Sequence, residues 1–518
     1  MARGAAENPT GSLGPKSLGQ VSGRTPRNRA LTLMLQGTSS SVGKSFLAAG
    51  LCRLYARRGL RVAPFKAQNM ALNSAVTPDG AEIGRAQAVQ AEAAGVPPEA
   101  AMNPILLKAE GDSSCQVVVM GRSAGSFSAV AYRALRDTLW PQVADALDGL
   151  RGRFDLVVIE GAGSPAEVNL REGEIVNMRV AAAAGAPVLL VGDIDRGGVF
   201  AALLGTLDLL PAAERRRVRA LVVNRFRGDP SLFADGVRFL QERSSRPVLG
   251  VVPWLDARLP AEDSLDLERL ARHRPDAVVD VAVIHLDRIS NFDELEQLAG
   301  EPGVSVRLVS DPRRLGRPDL VILPGSKTTV ADLRRLRSSG LADALLEAHA
   351  DGAAVLGICG GYQMLGREIR DPGHVEGSTG ARGLGLLPVV TTFEPVKVTS
   401  RRQGRAIGRR GLLGCAGGVP VSGYEIHMGR VAGEAAAALA LDGGPEGAIS
   451  EDGWTVGSSL HGLLTGRAFR RAVLEALARR KGAVLPPAAP DPPDPFERLA
   501  DCLQECLDVP LLDRIVGL

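Results

Sequence analysis

Short apolar runs alternate with helical patterns along most of this 518-residue chain, and this alternation limits the fold more than any other feature. In the first half these runs have no polar face, as parallel strands covered by helices on both sides require. They are Leu31–Leu35, Val62–Phe65, Leu156–Ile159, Val188–Val191, Leu221–Val223 and Val248–Val252. The alternation predicts right-handed crossovers and a doubly wound sheet, with functional loops at the carboxyl ends of the strands.

A second alternating series follows in the carboxyl-terminal half and predicts another α/β domain. Its early runs are Val279–Leu286, Val304–Val309, Leu320–Leu323 and Ala353–Ile358. Its later runs, which look more antiparallel, are Gly383–Phe393, Val421–Met428 and Trp454–Leu460. The predicted fold class is therefore α/β, with two doubly wound domains in one chain.

The two domains are predicted at residues 29–252 and 278–470, with a charged, proline-containing linker at 253–277 between them. Residues 1–28 are rich in Gly, Ser, Pro and Arg and lack the apolar region of a secretory signal. They are predicted to be a disordered extension. Residues 471–518 are predicted to be a helical tail with a proline-rich break and one final amphipathic helix.

Composition excludes several classes of function. A net charge of +3, from 61 basic and 58 acidic residues, gives no bias toward nucleic acid or a membrane surface. No apolar run reaches the roughly 20 residues that a transmembrane helix needs. The six cysteines are scattered without the paired spacing of a zinc site, and they predict a reduced, cytoplasmic protein.

A glycine-containing loop lies between the first apolar run and the helical pattern that follows it, with the sequence Gly-Thr-Ser-Ser-Ser-Val-Gly-Lys-Ser. Successive backbone N–H groups and the positive end of a helix favour phosphate at such a loop. Lys44 is predicted to reach the outer phosphates, and the Ser45 hydroxyl to bind Mg²⁺. In the general pattern a glycine stands five positions before Gly43, at Thr38; here it is one position earlier, at Gly37.

Polar residues at the ends of other strands are predicted to complete this nucleotide site. Lys66 directly follows its strand and is expected to face the same crevice, and Asn224 is expected to read an adenine edge. The predicted ATP-binding residues are Thr38, Gly43, Lys44, Ser45, Lys66 and Asn224.

Carboxylates at strand ends are candidates for the magnesium shell beside Ser45. Glu160 ends the third run and is predicted to complete that shell. Glu82 is a second candidate, with the alternative that it only caps a helix. Asp193 and Asp195 either position Mg²⁺ or substrate, or cap the next helix, and both interpretations stand.

A cysteine in a glycine-rich turn marks a second reactive site. Cys359 follows a buried run and precedes Gly360, Gly361 and a helical segment, as in a strained strand-to-helix turn that exposes a nucleophile. The helix amino end favours the thiolate, and the N–H of Gly360 is predicted to stabilise an oxyanion. Gly325, after a neighbouring run, is predicted to supply the other oxyanion N–H.

The proton carrier for this cysteine should be a histidine presented beside it. Among six histidines, His461 is the best placed, directly after a buried run and before Gly462. His427 is the alternative, and it is expected to contact substrate if His461 is the base.

Together these motifs resemble the cobyric acid synthase family of cobalamin biosynthesis over about residues 30–470. The motifs are GTSSSVGKS, PFKAQNMALNS, EIGRAQ, EGAGSPAEVNL, GDIDRGGVFA, VNRFRGD, LPGSKTT, GICGGYQMLG, SGYEIHMGR and SLHGL. The glycine at Gly37 rather than at Thr38 resembles the loop of dethiobiotin synthetase-like ATPases.

The resemblance implies such an ATPase followed by a class I glutamine amidotransferase with a flavodoxin-like fold. The implied enzyme is a carbon–nitrogen ligase that amidates the b, d, e and g carboxylates of adenosylcobyrinic acid a,c-diamide, with Cys359 as nucleophile and His461 as its partner. ATP, glutamine and Mg²⁺ are implied, with no permanently bound cofactor because the corrinoid is a substrate. The wider class carries an acidic residue two positions after this histidine; here that position is Leu463, as in the cobyrinate and cobyric branch.

Three other functions stay open from the sequence. Cobyrinic acid a,c-diamide synthase shares both chemistries, although GSPAEVNL and DIDRGGVFA favour the cobyric enzyme. Another glutamine-dependent carbon–nitrogen ligase, such as one acting on a cell-wall glutamate, would carry the same two loops. A P-loop partitioning or regulatory ATPase with an inert second domain is the alternative from a different class.

Overall fold

The computed structural model describes residues 29–111, 113–255, 273–490 and 493–518. The predicted extension at 1–28 and residues 256–272 of the predicted linker lie outside this described part.

The first domain contains a parallel sheet and a smaller, separate sheet, which is formed by the chain segment between β2 and β9. Its strands are β1 (Leu31–Gly37), β2 (Val62–Phe65), β3 (Gln68–Met70), β4 (Ser74–Val76), β5 (Glu82–Gly84), β6 (Ile105–Ala109), β7 (Ser114–Val119), β8 (Arg122–Ser128), β9 (Leu156–Glu160), β10 (Val188–Asp193), β11 (Val218–Phe226) and β12 (Val248–Pro253). Its helices are α1 (Lys44–Arg57), α2 (Arg85–Ala93), α3 (Ala129–Arg153), α4 (Met178–Ala184), α5 (Val199–Leu209), α6 (Ala212–Arg215) and α7 (Ala234–Ser244).

The main sheet has the order β12-β11-β10-β1-β9-β2, with all its strands parallel. Alternate residues of β9 enter different apolar clusters: Val157 and Ile159 pack on one side, and Leu156 and Val158 on the other. Both faces of the sheet are therefore covered, and the predicted doubly wound arrangement is confirmed.

The prediction of strand–helix alternation is wrong for the segment between β2 and α3. There the chain forms a four-stranded sheet of order β3-β6-β7-β8, in which β6, β7 and β8 are antiparallel, and a separate β4–β5 hairpin. β6 and β7 are largely buried, whereas β8 is mostly exposed with the polar sequence RSAGSFS, so periodicity does not identify these strands as one sheet.

The second domain also has two sheets. Its strands are β13 (Val279–Ile284), β14 (Val304–Val309), β15 (Leu320–Leu323), β16 (Ala354–Ile358), β17 (Glu368–Arg370), β18 (Gly380–Arg382), β19 (Val389–Ala406), β20 (Pro420–Gly433), β21 (Leu439–Leu441), β22 (Gly444–Glu446), β23 (Ala448–Ile449) and β24 (Thr455–Ser458). Its helices are α8 (Asp293–Ala299), α9 (Thr329–Ser338), α10 (Leu341–Ala350), α11 (Gly360–Leu365) and α12 (Arg467–Arg480).

The main sheet of this domain has the order β14-β13-β15-β16-β24-β23, parallel except for the pairing of β23 with β24. The second sheet is built on the long antiparallel hairpin of β19 and β20. The more antiparallel character expected for the later part of the domain is thus observed.

The carboxyl-terminal tail contains two helices, α13 (Pro495–Cys506) and α14 (Val509–Val516), where the sequence predicted one final helix. They are separated at Leu507, which forms an isolated antiparallel bridge with Gly250 of β12. Both helices pack into the core of the first domain. Gly50 of α1 faces the tail so closely that a Cβ there would come within 2.4 Å of the Leu503 side chain. The tail is therefore part of the first domain's packing, which sequence periodicity alone could not indicate.

Candidate active sites

The phosphate loop leaves β1 at Gly37 and enters α1 at Lys44, the strand–loop–helix order that the sequence predicts. Gly43 has φ 93°, and a Cβ there would lie 2.2 Å from Nδ2 of Asn224. Nζ of Lys44 donates to the carbonyl oxygens of Ser39 at 2.9 Å and Gly163 at 3.1 Å. The loop therefore needs glycine at position 43, and it curls its main chain around the Lys44 ammonium.

The Glu160 carboxylate contacts three polar side chains beside the phosphate loop. Its Oε1 accepts a hydrogen bond from Oγ of Ser45 at 2.7 Å and pairs with Nζ of Lys66 at 2.8 Å. Its Oε2 accepts from Nε2 of Gln90 at 2.6 Å. Burial opposes ionisation of this carboxyl, but the charge of Lys66 and the three hydrogen bonds outweigh it and lower the pKa of Glu160. A carboxylate beside a hydroxyl is an oxygen donor set of the kind Mg²⁺ prefers.

The other predicted nucleotide-site residues lie at the edge of the same loop. The Thr38 N–H donates to the carbonyl of Val191 on the adjacent strand, so Thr38 begins the loop. Asn224 donates from Nδ2 to the carbonyl of Val42 at 2.8 Å, and this contact holds the loop. Its predicted contact with an adenine edge stays a prediction.

The structure does not support Glu82 as a magnesium ligand. Glu82 is buried on β5, and its two oxygens pair with Nζ of Lys108 at 2.8 Å and Nζ of Lys397 at 2.5 Å. Burial opposes ionisation, but the two ammonium groups lower the pKa of Glu82. Lys397 belongs to the second domain, so Glu82 joins the two domains and its charge is already neutralised.

The two aspartates after β10 face arginines. Oδ2 of Asp193 lies 2.9 Å from Nη1 of Arg225, and Oδ1 of Asp195 lies 2.6 Å from Nε of Arg227. Oδ1 of Asp193 also accepts from the N–H of Asp195. Each carboxylate thus has a cationic partner, and neither caps the next helix, whose N-cap is Gly198 without a side-chain hydrogen bond. The role in positioning Mg²⁺ or substrate stays a prediction.

Cys359 lies at the junction of β16 and α11 with φ 50° and ψ −107°, a conformation that ordinary residues avoid. The main chain of the loop after β15 lies so close to this turn that only glycine fits at the two positions after Cys359. A Cβ on Gly361 would lie 1.8 Å from the carbonyl oxygen of Leu323, and one on Gly360 would lie 2.8 Å from the amide nitrogen of Ser326. The strained elbow predicted for the nucleophile is thus present.

The Cys359 thiol is deeply buried, and its Sγ lies 3.7 Å from the carbonyl oxygen of Ile426. Burial raises the pKa of this thiol to about 12. The N–H of Gly360 and the charge of Lys108 act in the opposite direction. Two groups therefore oppose the effect of burial on this thiol: Gly360 of the elbow itself and Lys108 of the first domain.

His461 follows β24, which lies beside β16 with Ser458 opposite Ile358, so both reactive residues leave the same edge of the sheet. Its ring stacks on Tyr424, with centroids 5.4 Å apart and planes inclined by 22°. A Cβ on Gly325 would lie 2.8 Å from Cε1 of His461. The structure therefore brings the predicted base next to the predicted oxyanion loop.

The His461 imidazole is completely buried. Burial, assisted by the charges of Lys108 and Arg85, lowers its pKa to about 3. Nε2 lies 3.4 Å from Nδ2 of Asn291, and Nδ1 has no hydrogen-bond partner among the described residues. Burial therefore favours the neutral form of both the thiol and the imidazole.

His427 also reaches the site, on β20. Its Nδ1 bonds the carbonyl of Gly429 at 2.8 Å, and its Nε2 lies 3.6 Å from Oε1 of Glu425. It lines the same pocket as Cys359, which His461 does not. The sequence-based choice of His461 over His427 therefore stays a prediction.

A carboxylate supports the loop after His461 although Leu463 occupies the usual acidic position. Glu294 of α8 accepts hydrogen bonds from the N–H groups of Gly462 and Leu464, each at 3.1 Å. Burial raises the pKa of Glu294 to about 7 against these hydrogen bonds and the charge of Arg85. Sequence reasoning missed Glu294 because it lies 168 residues from Gly462 and has no motif of its own.

A pocket beside Cys359 is lined by both domains. An ion pair of 2.7 Å between Nζ of Lys327 and Oε1 of Glu110 crosses the domain boundary at its wall. Charged and reactive groups around this pocket are Lys108, Glu110, Lys327, Cys359, Glu376, Lys397 and His427. The residues predicted for the glutaminase site all belong to the second domain, whereas Lys108 and Glu110 of the first domain also line this pocket.

Within the described ranges no cluster of three or more His, Cys, Asp or Glu side chains has the arrangement of a metal site. Over the same ranges, no helix has both the length and the apolarity needed to span a membrane.

Two family models match the two halves of the chain. A family model described as a CobQ/CobB/MinD/ParA nucleotide binding domain matches residues 33–265, and one described as a CobB/CobQ-like glutamine amidotransferase domain matches residues 280–469. A solved structure titled as a glutamine amidotransferase covers 38% of this chain and 98% of its own, with 21% identity and a TM-score of 0.28, which is too low to carry an argument. The family models and the two sheets confirm the predicted fold class, and they define a nucleotide-dependent glutamine amidotransferase.

Curated relatives narrow this class to one family. The cobyric acid synthase of Sorangium cellulosum (strain So ce56) is 53% identical, and the match covers 94% of this chain and 99% of the relative. The cobyric acid synthase of Desulforudis audaxviator (strain MP104C) is 51% identical, with coverage of 94% and 100%. The chain belongs to the cobyric acid synthase family. It is a carbon–nitrogen ligase of cobalamin biosynthesis with glutamine as its amido donor, which confirms the resemblance found in the motifs.

Proposed function

We propose that this enzyme uses ATP and glutamine to amidate the b, d, e and g carboxylates of adenosylcobyrinic acid a,c-diamide, giving adenosylcobyric acid. The observation that carries the proposal is identity above 50% to cobyric acid synthases along 94% of the chain. The phosphate loop and the Cys359 elbow supply the two chemistries that such a reaction needs.

In the glutaminase half-reaction, the Cys359 sulfur attacks the side-chain amide carbon of glutamine while its proton passes to His461. The N–H groups of Gly325 and Gly360 stabilise the oxyanion of the tetrahedral intermediate. The carbon–nitrogen bond then breaks, and the imidazolium returns its proton to the departing ammonia. Water hydrolyses the thioester, which releases glutamate and restores the thiol.

The charges of the interdomain pocket suit free glutamine. The α-ammonium and α-carboxylate of the amino acid require a carboxylate and a cation near the nucleophile, and Glu376, Lys327 and Lys397 offer both signs there. The Glu110–Lys327 pair closes the same pocket from the first domain. We therefore place the glutamine subsite between the domains, with Cys359 at its inner end.

In the synthetase half-reaction, the loop that begins at Thr38 holds the ATP phosphates with the N–H of Gly43 and the Lys44 ammonium. Ser45 and Glu160 would hold Mg²⁺, which supplies charge neutralisation on the phosphates. Lys66 shares the Oε1 atom of Glu160 and so keeps this carboxylate ionised. A corrin side-chain carboxylate attacks the γ-phosphorus and releases ADP, and ammonia then displaces phosphate from the acyl phosphate.

The cellular setting of this proposal is the cytoplasm. All six cysteines are free thiols, as expected in a reducing compartment. The partners are small molecules: ATP, glutamine and the corrinoid. The domain limits at 29–252 and 278–470 stay predictions, with helices α13 and α14 added to the packing of the first domain.

A turnover assay with two precursors tests the proposal. Adenosylcobyrinic acid a,c-diamide, ATP and glutamine should give a product carrying four new amides by mass, whereas cobyrinic acid should not be converted to its a,c-diamide. Conversion of cobyrinic acid instead would assign the chain to the a,c-diamide synthases.

The variant Cys359→Ala separates the two half-reactions. It should abolish amidation from glutamine and retain amidation from added ammonia, because ammonia bypasses the nucleophile. Cys415→Ala, which removes a half-buried thiol of the same domain, is the matched control and should retain both activities. Loss of both activities in Cys359→Ala alone would contradict the two-site mechanism.

A further inference from the structure

The His461 ring is held by two neighbours that are themselves bonded to the first domain. Asn291 approaches Nε2 at 3.4 Å, and Tyr424 stacks against the ring. Both neighbours are buried, with 4% and 8% of their surfaces exposed, so water cannot replace the contacts they make.

Asn291 is held by the segment Asn73–Ser74. Its N–H donates to Oδ1 of Asn73 at 2.8 Å, and its Oδ1 accepts from the N–H of Ser74 at 2.8 Å. A backbone N–H can only donate, so Oδ1 must face Ser74 and Nδ2 must face His461. Asn73 and Ser74 therefore set both the position and the orientation of the amide that meets the imidazole.

Tyr424 is held by Arg85, the first residue of α2. Arg85 forms an ion pair with Asp293, and its guanidinium lies 5.7 Å from the centre of the Tyr424 ring. The Tyr424 hydroxyl donates to Oδ1 of Asp293 at 3.3 Å. The arginine of one domain thus fixes the aromatic ring on which the histidine of the other domain stacks.

These contacts answer a question that the sequence raised, because no acidic residue follows His461 to orient it. Glu294 supports only the main chain after the histidine, at Gly462 and Leu464. Asn291 is the side chain that meets Nε2. The orienting contacts therefore come from Asn291 and Tyr424, and both depend on the other domain.

We propose that Asn73 and Arg85 of the first domain are positioning residues for His461, so that glutamine hydrolysis requires the first domain docked as it is here. This inference rests on the proposed role of His461 in the glutaminase half-reaction. Neither residue touches the reacting atoms. They act through Asn291 and Tyr424, so their loss displaces the imidazole. Asn291 also lines the pocket beside Cys359, but the charged groups Lys327, Glu376 and Lys397 there are not altered by either change.

The test uses the full chain with the variants Asn73→Ala, Arg85→Met and Arg85→Lys. In the first two, kcat for glutamine hydrolysis should fall between tenfold and a hundredfold, because displacements of about 1 Å carry losses of this order. The KM for glutamine should stay within about threefold of the native value. Arg85→Lys keeps the charge opposite Asp293 and should recover part of the lost kcat, which a purely structural defect would not predict.

Control variants distinguish the positioning role of Asn73 and Arg85 from the proposed proton-carrier role of His461. Arg53→Ala removes an ion pair between the first domain and the tail, at Glu497, and should leave the hydrolysis of glutamine unchanged. Retained amidation from ammonia shows that a variant is folded. If His461→Ala is inactive while Asn73→Ala and Arg85→Met hydrolyse glutamine normally, the positioning role is overturned alone. If His461→Ala keeps full glutaminase activity, the proposed proton carrier is wrong as well.

Discussion

Arg85 and Gln90 lie on the same nine-residue helix, α2, and reach the two active sites from it. Arg85 pairs with Asp293 beside the glutaminase histidine, whereas Nε2 of Gln90 donates to Oε2 of Glu160 at 2.6 Å in the phosphate site. Five residues of helix correspond to about 7.5 Å along its axis. One helix of the first domain therefore contacts both candidate reaction centres.

Replacing Gln90 with Ala should uncouple the two half-reactions. The change frees Oε2 of Glu160 and removes the contact that fixes α2 against the phosphate site, while Cys359 and His461 are untouched. We expect the amount of glutamate released per amide formed to rise several-fold, measured by parallel assays of glutamate and amidated corrinoid. Gln142→Ala, at an exposed glutamine of α3, is the control. An unchanged ratio in Gln90→Ala would show that α2 does not connect the sites.

Replacing Lys44 with Ala should stop amidation from both glutamine and ammonia, because each route needs the phosphorylated carboxylate. Nζ of Lys44 is the cation that the loop carbonyls of Ser39 and Gly163 hold at the phosphate site. Product mass and ADP release would both be measured. Lys481→Ala, which breaks an ion pair with Asp319 in the second domain, should behave like the native enzyme. If Lys44→Ala still amidates from ammonia, the phosphate loop is misassigned.

Truncation of the two histidines should distinguish their roles. His461→Ala should lower the rate of glutamine hydrolysis by on the order of 10²–10⁴, the usual contribution of a general base. His427→Ala, on the pocket wall, should raise the KM for glutamine more than it lowers kcat. Steady-state glutaminase kinetics would decide, and a small effect of His461→Ala with a large loss of kcat in His427→Ala would reverse the assignment.

The buried Glu294 should make the stability of the fold depend on pH. Its pKa is raised from 4.5 to about 7, so the native state binds a proton that the unfolded state has already lost between these values. The stabilisation is complete below pH 4.5 and disappears as the pH rises through 7. The shift corresponds to about 3 kcal/mol of unfolding free energy.

Urea unfolding of the native protein and of Glu294→Gln at several pH values measures the contribution of Glu294 to the free energy of unfolding. The difference in unfolding free energy between the two proteins should change by about that amount between pH 4.5 and 8, because the glutamine cannot titrate. A difference that does not vary with pH would show that Glu294 titrates normally in the folded chain.

Several features of the fold were readable from the chain because they depend on local pattern. Buried apolar runs such as Leu31–Leu35 and Leu156–Ile159 became central parallel strands, since only such runs can be covered by helices on both faces. The segment from Gln68 to Ser128 was misread, because the antiparallel pairing of β6, β7 and β8 depends on contacts between strands rather than on the periodicity of each one. The second tail helix escaped prediction for a similar reason, since α14 packs against β1 and into an apolar cluster of the first domain, which lies far away in sequence.

The sequence by itself determined the two chemical centres: the phosphate loop at Lys44 and the cysteine elbow at Cys359. Each is a continuous stretch whose glycine positions and strand–helix junction follow from local sterics. Only the tertiary structure decided what surrounds them: Glu294 beneath the loop after His461, Glu82 between two lysines, and Asn73 and Arg85 behind the imidazole. These groups lie far from their partners along the chain, and a contact across a domain boundary leaves no periodic trace in either segment.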